Sequence, residues 1–333
     1  MKKTIILIMP RDFNFYEAFV ENLKTTEFEI ELLFTSNHDF RYKNPKQKVT
    51  NFLRKTFLGD KNYKQNLKDR FNDDALLKEL SKIRKKVDYT LVIRPDYFST
   101  EILQKLKEKT NKLIAYQWDG LERYPKAKKL IPLFDRFFLF DVDDYERYKS
   151  NFQNIFPITN FYFDFDKNLP KITNNEVFFI GSFIESRIDK IVHLTKIIVN
   201  LGLNPTINLL AFDDETPRKY SGLGLNFITT GMTYLEVLEK VRQAAVVLDF
   251  ANSVHNGLSF RTFEATYFSK KLITNNPLVS KYDFYHPNNI LVLDQSMGEE
   301  DIKQFLSADY IQIDDTIKTK YSFTNWLKTV LKD

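Results

Sequence analysis

The stretch YLEVLEKVRQAAVVLDFANSVHNGLSFRTFEATYFSKKLITNN, residues 234–276, decides the fold. Apolar residues recur at helical spacing over 234–244. AVVLDF, 245–250, apolar but for Asp249 and of strand length, reads as a buried strand. A polar loop leads into a second helical pattern over 259–268, and KLIT, 271–274, reads as another short strand. Strand, helix and strand in such close succession indicate a parallel βαβ unit.

Outward from this stretch the same alternation continues. Strands are predicted at 4–9, 28–34, 89–93, 112–116 and 136–140, with helical patterns at 13–23, 76–83 and 100–109. Thr100 is the expected N-cap of the last of these helices, with Glu101 in its first turn. The pattern breaks over 160–175, where polar and aromatic residues mix around Pro170 and Asn174-Asn175. A second series starts with EVFFI, 176–180, running into Gly181-Ser182, and continues with a helix over 186–201 and strands at 209–212, 225–228 and 290–293. A last helix is predicted at 321–331, around Trp326. The expected fold class is α/β, with two Rossmann-like doubly wound domains facing a cleft. The boundaries fall at about 1–160 and 173–315, and the segment 316–333 is expected to pack back on the first domain. Such sheets bind ligands beyond the carboxyl ends of their strands. The residues just after strands therefore matter most: Arg11 and Asp12, Arg94, Trp118 and Asp119, Gly181 and Ser182, and the loop from Asn252 to Asn256.

Composition narrows the classes. A length of 333 residues suits two domains. Without cysteine the chain has no disulfide framework, thiolate metal site or cysteine nucleophile, which fits a cytosolic protein. The opening MKKTIILIM is too short for a secretory signal, and no apolar run reaches the roughly 18–20 residues of a membrane span. The expected location is cytoplasmic, either free or attached peripherally to the inner face of the cytoplasmic membrane. A net charge of +5 suits phosphate-bearing ligands or an anionic membrane and is too small to imply nucleic acid. From Arg41 to Arg70 ten Lys or Arg face only Asp60 and Asp69. This run is either a solvated face or a lipid-binding element in which Phe52, Leu53, Phe57 and Leu58 insert. No G-x-G-x-x-G follows the first strand and no P-loop motif occurs. His38, His193, His255 and His286 lack metal-ligand spacing. Asp141-Val142-Asp143 has the form of a D-x-D metal motif. Its position before a helix favours capping by Asp143 or Asp144 instead.

The chemistry gathers after the strand 245–250. Asn256, Ser259 and Arg261 lie at a helix start, where free N–H groups and the helix dipole favour a phosphate. Arg261 adds a forked cation suited to a diphosphate, or forms a surface ion pair; Arg187 carries the same two readings. One turn later, Glu264 either accepts hydrogen bonds from ribose hydroxyls or faces solvent.

RTFEA followed by KLITNN, with the loop before it, resembles the donor-site segment of GT-B glycosyltransferases. The resemblance is to the branch that serves lipopolysaccharide-core, capsule and spore-coat sugar transfer. VFFIGSFIESRIDKI, 177–191, with Phe179, Gly181, Ser182 and Arg187, matches that branch's entry into the second domain. YDFYHPNNILVLD, 282–294, matches the closing segment of the same domain, and YQWDG, 116–120, is the main match in the first half. The resemblance implies a glycosyltransferase that takes a nucleotide-sugar donor, with no metal or other cofactor. Its acceptor would be a surface glycan or a lipid-linked saccharide. It assigns the ribose to Glu264, the diphosphate to Arg261 and the helix start, and close backbone approach to Gly181. Ser182, Arg187, His255, Asn256 and Ser259 would complete the donor side. Asp119 would be the general base or acceptor-orienting group, unless Asp119-Gly120 is only a turn; Arg11, Asp12, Arg94 and Trp118 would lie on the acceptor side. Eight positions before Glu264, where many retaining members carry a second glutamate, stands Asn256, so the stereochemical outcome stays open. The rival readings are a non-catalytic nucleotide- or sugar-binding protein and a sugar-nucleotide epimerase.

Overall fold

The computed structural model describes residues 2–35, 40–60, 62–166, 175–213, 215–220, 222–251, 256–294 and 296–332. Chain contacts divide it into two compact units, one of residues 1–11 and 26–158 with 333, the other of 12–25 and 159–332. The elements of the N-terminal half run β1 (Thr4–Met9), α1 (Phe15–Lys24), β2 (Glu29–Phe34), α2 (Pro45–Phe57), α3 (Tyr63–Lys82) and β3 (Val87–Ile93). They continue with α4 (Thr100–Lys109), β4 (Thr110–Gln117), α5 (Pro125–Leu130), β5 (Arg136–Leu139), α6 (Val142–Tyr148) and β6 (Ile155–Pro157). All except α1 belong to the first unit.

The first unit is a six-stranded parallel sheet of order β2-β1-β3-β4-β5-β6 flanked by helices. Ile5 to Met9 of β1 are fully buried, as a strand covered on both faces requires. The sheet packs on Ile102, Leu103 and Leu106 of α4 and on Leu76 and Leu80 of α3. The N-cap of α4 is Ser99, whose hydroxyl accepts from the Ile102 amide, not Thr100 as the sequence suggested. The cap of α6 is Asp141, which accepts from the amides of Asp143 and Asp144. The D-x-D motif is therefore a capping device, with Asp141 rather than Asp143 or Asp144 as the cap. Among the described residues no group of three or more acidic or histidine side chains is placed to hold a metal ion.

The second unit contains β7 (Glu176–Ser182), α7 (Glu185–Asn200), β8 (Asn204–Leu210), α8 (Glu215–Lys219), β9 (Leu225–Ile228), α9 (Tyr234–Gln243) and β10 (Val246–Asp249). It ends with α10 (Phe260–Tyr267), β11 (Lys271–Thr274), β12 (Ile290–Val292), α11 (Glu299–Ser307), α12 (Asp315–Lys320) and α13 (Phe323–Leu331). Its parallel sheet has the order β12-β11-β10-β7-β8-β9, the strand order of a doubly wound dinucleotide fold. β8 lies earlier than the predicted 209–212, because its first half pairs with β7 through residues that are not apolar. An aromatic cluster joins the unit's ends: the ring of Phe19 of α1 lies 5.2 Å from Phe163 and 5.4 Å from Phe323 of α13. α13 thus packs on a residue that the sequence boundaries give to the first domain and that chain contacts group with the second.

Candidate functional site

In the second unit β7 and β10 are neighbours, and the chain leaves them toward opposite edges of the sheet. This is the topological switch point, where connections diverge and leave a crevice beyond the strand ends. A cavity of ≈ 370 Å³ lies there. Gly181 and Ser182 at the end of β7, Asp249 at the end of β10, and Ser259, Arg261 and Glu264 of the α10 region contribute to its wall.

α10 presents its first turn to this cavity. Ser259 is its N-cap residue and makes no capping hydrogen bond from its side chain. Glu264, one turn in, is fully buried. Its Oε2 accepts from Arg261 NH1 at 2.6 Å, and its Oε1 accepts from the Tyr234 hydroxyl at 2.5 Å. An ionised carboxylate has about four acceptor positions, so both oxygens keep capacity for a ligand. The reading of Glu264 as a solvent-facing helix residue is thereby overturned. Tyr234 is held at the start of α9 by a capping box between Thr233 and Glu236. Burial, the Glu264 charge and the hydrogen bond to it push the Tyr234 hydroxyl well above the usual tyrosine range, so it stays a donor. Tyr234 escaped the sequence reading because thirty positions separate it from Glu264. The T-x-x-E signal at 233–236 could have fixed its place in the first helical turn.

Of the other donor-side residues, Gly181 and Ser182 lie against Arg187. Its guanidinium donates to the carbonyls of Ser182 and Phe250, the second at 3.1 Å, while its Nε is buried with no hydrogen-bond partner among the described residues. A Cβ at position 181 would meet both Arg187 NH2 and the Phe179 ring at 3.0 Å, so in this structure the glycine makes room for the arginine. Burial lowers the Arg187 pKa, and the charge of Asp249 opposes that shift. Asp249 itself is raised by burial, against the pull of Ser259, Arg261, Arg187 and Thr262. Asn256 is exposed. His255 lies outside the described residues.

Phe13 is a wall residue that no sequence signal identified. Its φ of 52° is left-handed, as is that of the following Asn14. A bulky residue in this region stores strain of about 1–2 kcal/mol. Its ring takes the space over Gly231, where an added Cβ would come within 2.4 Å of it. Only a glycine at 231 admits the ring there.

The first unit gathers a different set. Arg94, beyond β3, has a left-handed φ of 58° and is 7% exposed along its side chain. Its Nε and NH2 donate to the two carboxylate oxygens of Asp96, each at 2.8 Å, and its NH1 donates to Asp119. The rings of Tyr124 and Tyr97 lie 4.1 and 5.0 Å from the guanidinium. Burial alone would lower the Arg94 pKa, but the hydrogen bonds and charge of Asp96 and the charge of Asp119 outweigh it and raise it. Asp119 also lies 3.7 Å from Arg123. Trp118 is half-buried beside Tyr116, and the guanidinium of the exposed Arg11 lies over Phe34. Asp12 belongs with the second unit and is not part of this cluster.

No family model matches the sequence, and no curated protein matches it. Solved structures do resemble it. An alpha-glucosyltransferase in complex with UDP and a 13-mer DNA containing an HMU base is 11% identical, with 100% of each chain covered and a TM-score of 0.57. A UDP-forming alpha,alpha-trehalose-phosphate synthase from Burkholderia xenovorans is 12% identical, covering 99% of this chain and 98% of its own, with a TM-score of 0.54. UDP-GlcNAc 2-epimerase from Methanocaldococcus jannaschii is 12% identical, covering 93% and 95%, with a TM-score of 0.50. The likeness is one of fold. Two six-stranded parallel sheets flanked by helices make the chain an α/β protein of the two-domain GT-B fold.

Proposed function

We propose that this chain is a glycosyltransferase that moves a sugar from a nucleotide-sugar donor to a surface glycan or lipid-linked saccharide. One observation carries the reading. At the switch point of the second sheet, a fully buried carboxylate, Glu264, is held by Arg261 and Tyr234 on the wall of a ligand-sized cavity. The ribose hydroxyls of the donor would bond Glu264. Arg261, only 15% exposed but lining the cavity, would share its guanidinium with the diphosphate.

The reaction is a substitution at the anomeric carbon. The acceptor oxygen forms the new C–O bond as the bond to the nucleotide diphosphate breaks. The leaving diphosphate gathers negative charge, and Arg261 with the N-terminus of α10 would stabilise it, so the scheme needs no bound metal. In an inverting reaction the acceptor hydroxyl gives its proton to a base, the role proposed for Asp119 with Arg94 fixing its orientation. An epimerase remains the second reading, since a UDP-GlcNAc 2-epimerase is among the structures of similar fold.

UDP is the first nucleotide to try, because two of the similar structures are described with it or as forming it. Thermal stabilisation against UDP, GDP, ADP, dTDP, CDP and CMP tests the donor site. A ligand at about 100 times its Kd adds roughly 2.7 kcal/mol of stability. One nucleotide giving that shift, with sugar-nucleotide consumption that depends on an added acceptor, is the expected result. No shift with any of them counts against the donor site, and conversion of the sugar-nucleotide without an acceptor favours the epimerase.

A further inference from the structure

The lysine-rich stretch forms α2 and the start of α3, and α2 is mounted with its apolar side outward. None of its 13 residues is buried. At about 100° per residue, Val49, Phe52, Leu53 and Thr56 fall within one arc roughly 100° wide, with Phe57 at its edge. Val49 is 56% exposed, Phe52 63%, Phe57 73% and the following Leu58 75%. Lys46 flanks this arc on one side, and Lys48 and Lys55 flank it on the other. The opposite side of the helix carries Gln47, Thr50, Asn51 and Arg54. It is this polar side that is turned inward: Gln47, Thr50 and Asn51 are half-buried. Arg54 pairs with Asp60 at 3.2 Å and lies over the Tyr63 ring at 4.9 Å, tying that side to the start of α3.

An amphipathic helix of a globular domain turns its apolar stripe to the core. α2 does the reverse, so folding of this unit leaves five large apolar side chains in water. A partner that covers them must be apolar where they enter and anionic at the shoulders. The stretch 41–70 carries ten cations against two carboxylates, a balance of +8 in a chain whose total is +5. A second copy of the chain would bring two such faces together against their own repulsion.

We propose that α2 is a docking helix for an anionic phospholipid bilayer. It would lie in the interface plane, with Phe52, Leu53, Phe57 and Leu58 in the acyl boundary and Lys46, Lys48 and Lys55 on headgroup phosphates. This inference does not depend on the donor-site reading.

Cosedimentation of the full chain with vesicles tests it. Phosphatidylcholine vesicles containing roughly a third phosphatidylglycerol should bind the protein at least about tenfold more tightly than phosphatidylcholine alone. The Lys46→Glu/Lys48→Glu/Lys55→Glu variant should lose affinity on the order of a hundredfold. The Phe52→Ser/Phe57→Ser/Leu58→Ser variant should also release the vesicles. Both variants should keep the wild-type melting temperature and nucleotide response, which separates failure of this helix from failure of the donor site. Wild-type protein that ignores anionic vesicles overturns the proposal, as does binding unchanged in both variants. A wild-type dimer that the serine variant converts to monomer, with no vesicle binding, gives the face to a second copy instead and also overturns it.

Discussion

Each unit carries one arginine–carboxylate set beyond its strand ends, and the two are wired differently. In the first unit, all three guanidinium nitrogens of Arg94 donate to Asp96 and Asp119, and tyrosine rings lie against the cation. In the second, Arg261 gives NH1 to Glu264, and both residues line a cavity. A guanidinium has five N–H donors, and one that spends three of them on two carboxylates, as Arg94 does, keeps only two for a phosphate. One that holds its carboxylate through a single nitrogen can be shared. The first set is therefore built to hold a shape, and the second to receive an anion.

The sharpest way to break this comparison is Asp119→Asn. If Asp119 is the base, turnover per folded molecule should fall by about 10²–10⁴ with nucleotide affinity intact. Turnover that merely tracks the folded fraction would leave the first set structural only. Arg94→Ala should be the most damaging change to stability, costing about 3–5 kcal/mol because it strips Asp96 of its cation and leaves Asp119 only the more distant Arg123. Denaturant unfolding measures this, and a loss no larger than that of an exposed ion pair would contradict the closed wiring.

The smallest expected effect is a pH dependence at Asp249. Burial raises its folded pKa above that of the unfolded chain, so the folded state binds its proton more tightly. The resulting stability is present at low pH and is lost as pH rises from the ordinary carboxylate range through the raised value. Loss of the proton also places an anion beside the proposed diphosphate site. UDP affinity should fall across the same window by about threefold, and Asp249→Asn should flatten both profiles. Parallel profiles in the variant would assign the effect to another group.

Much of this fold was legible because parallel strands buried on both faces are continuous apolar runs. Thr4–Met9 is such a run and stands where the pattern put it; the edge strand Leu225–Ile228 and the short Lys271–Thr274 also stand at their expected positions. The stretch 41–70 reads as a charge run, either a solvated face or a lipid-binding element with Phe52, Leu53, Phe57 and Leu58 inserted; the helix α2 within it goes unpredicted, since its apolar stripe serves no core. The approach of Phe13 to Gly231 depends on a left-handed backbone that no residue type announces. Of the candidate site, Arg261, Glu264, Gly181 and Ser182 do converge on one cavity. What pattern could not supply were long-range partners: Tyr234 for Glu264, and Arg94 for Asp119, which lie 30 and 25 positions apart.

The central claim is that Glu264 and its neighbours bind a nucleotide. Calorimetric titration of wild type and Glu264→Gln with UDP at fixed salt addresses it directly. Glutamine preserves shape and the capacity to accept from Tyr234, but removes the charge that holds Arg261 and strengthens bonds to ribose. Hydrogen bonds to a charged group are worth about 1.5–3 kcal/mol, so UDP affinity should fall by roughly 10- to 150-fold while the variant stays folded. Equal affinity in a folded Glu264→Gln protein would contradict the account.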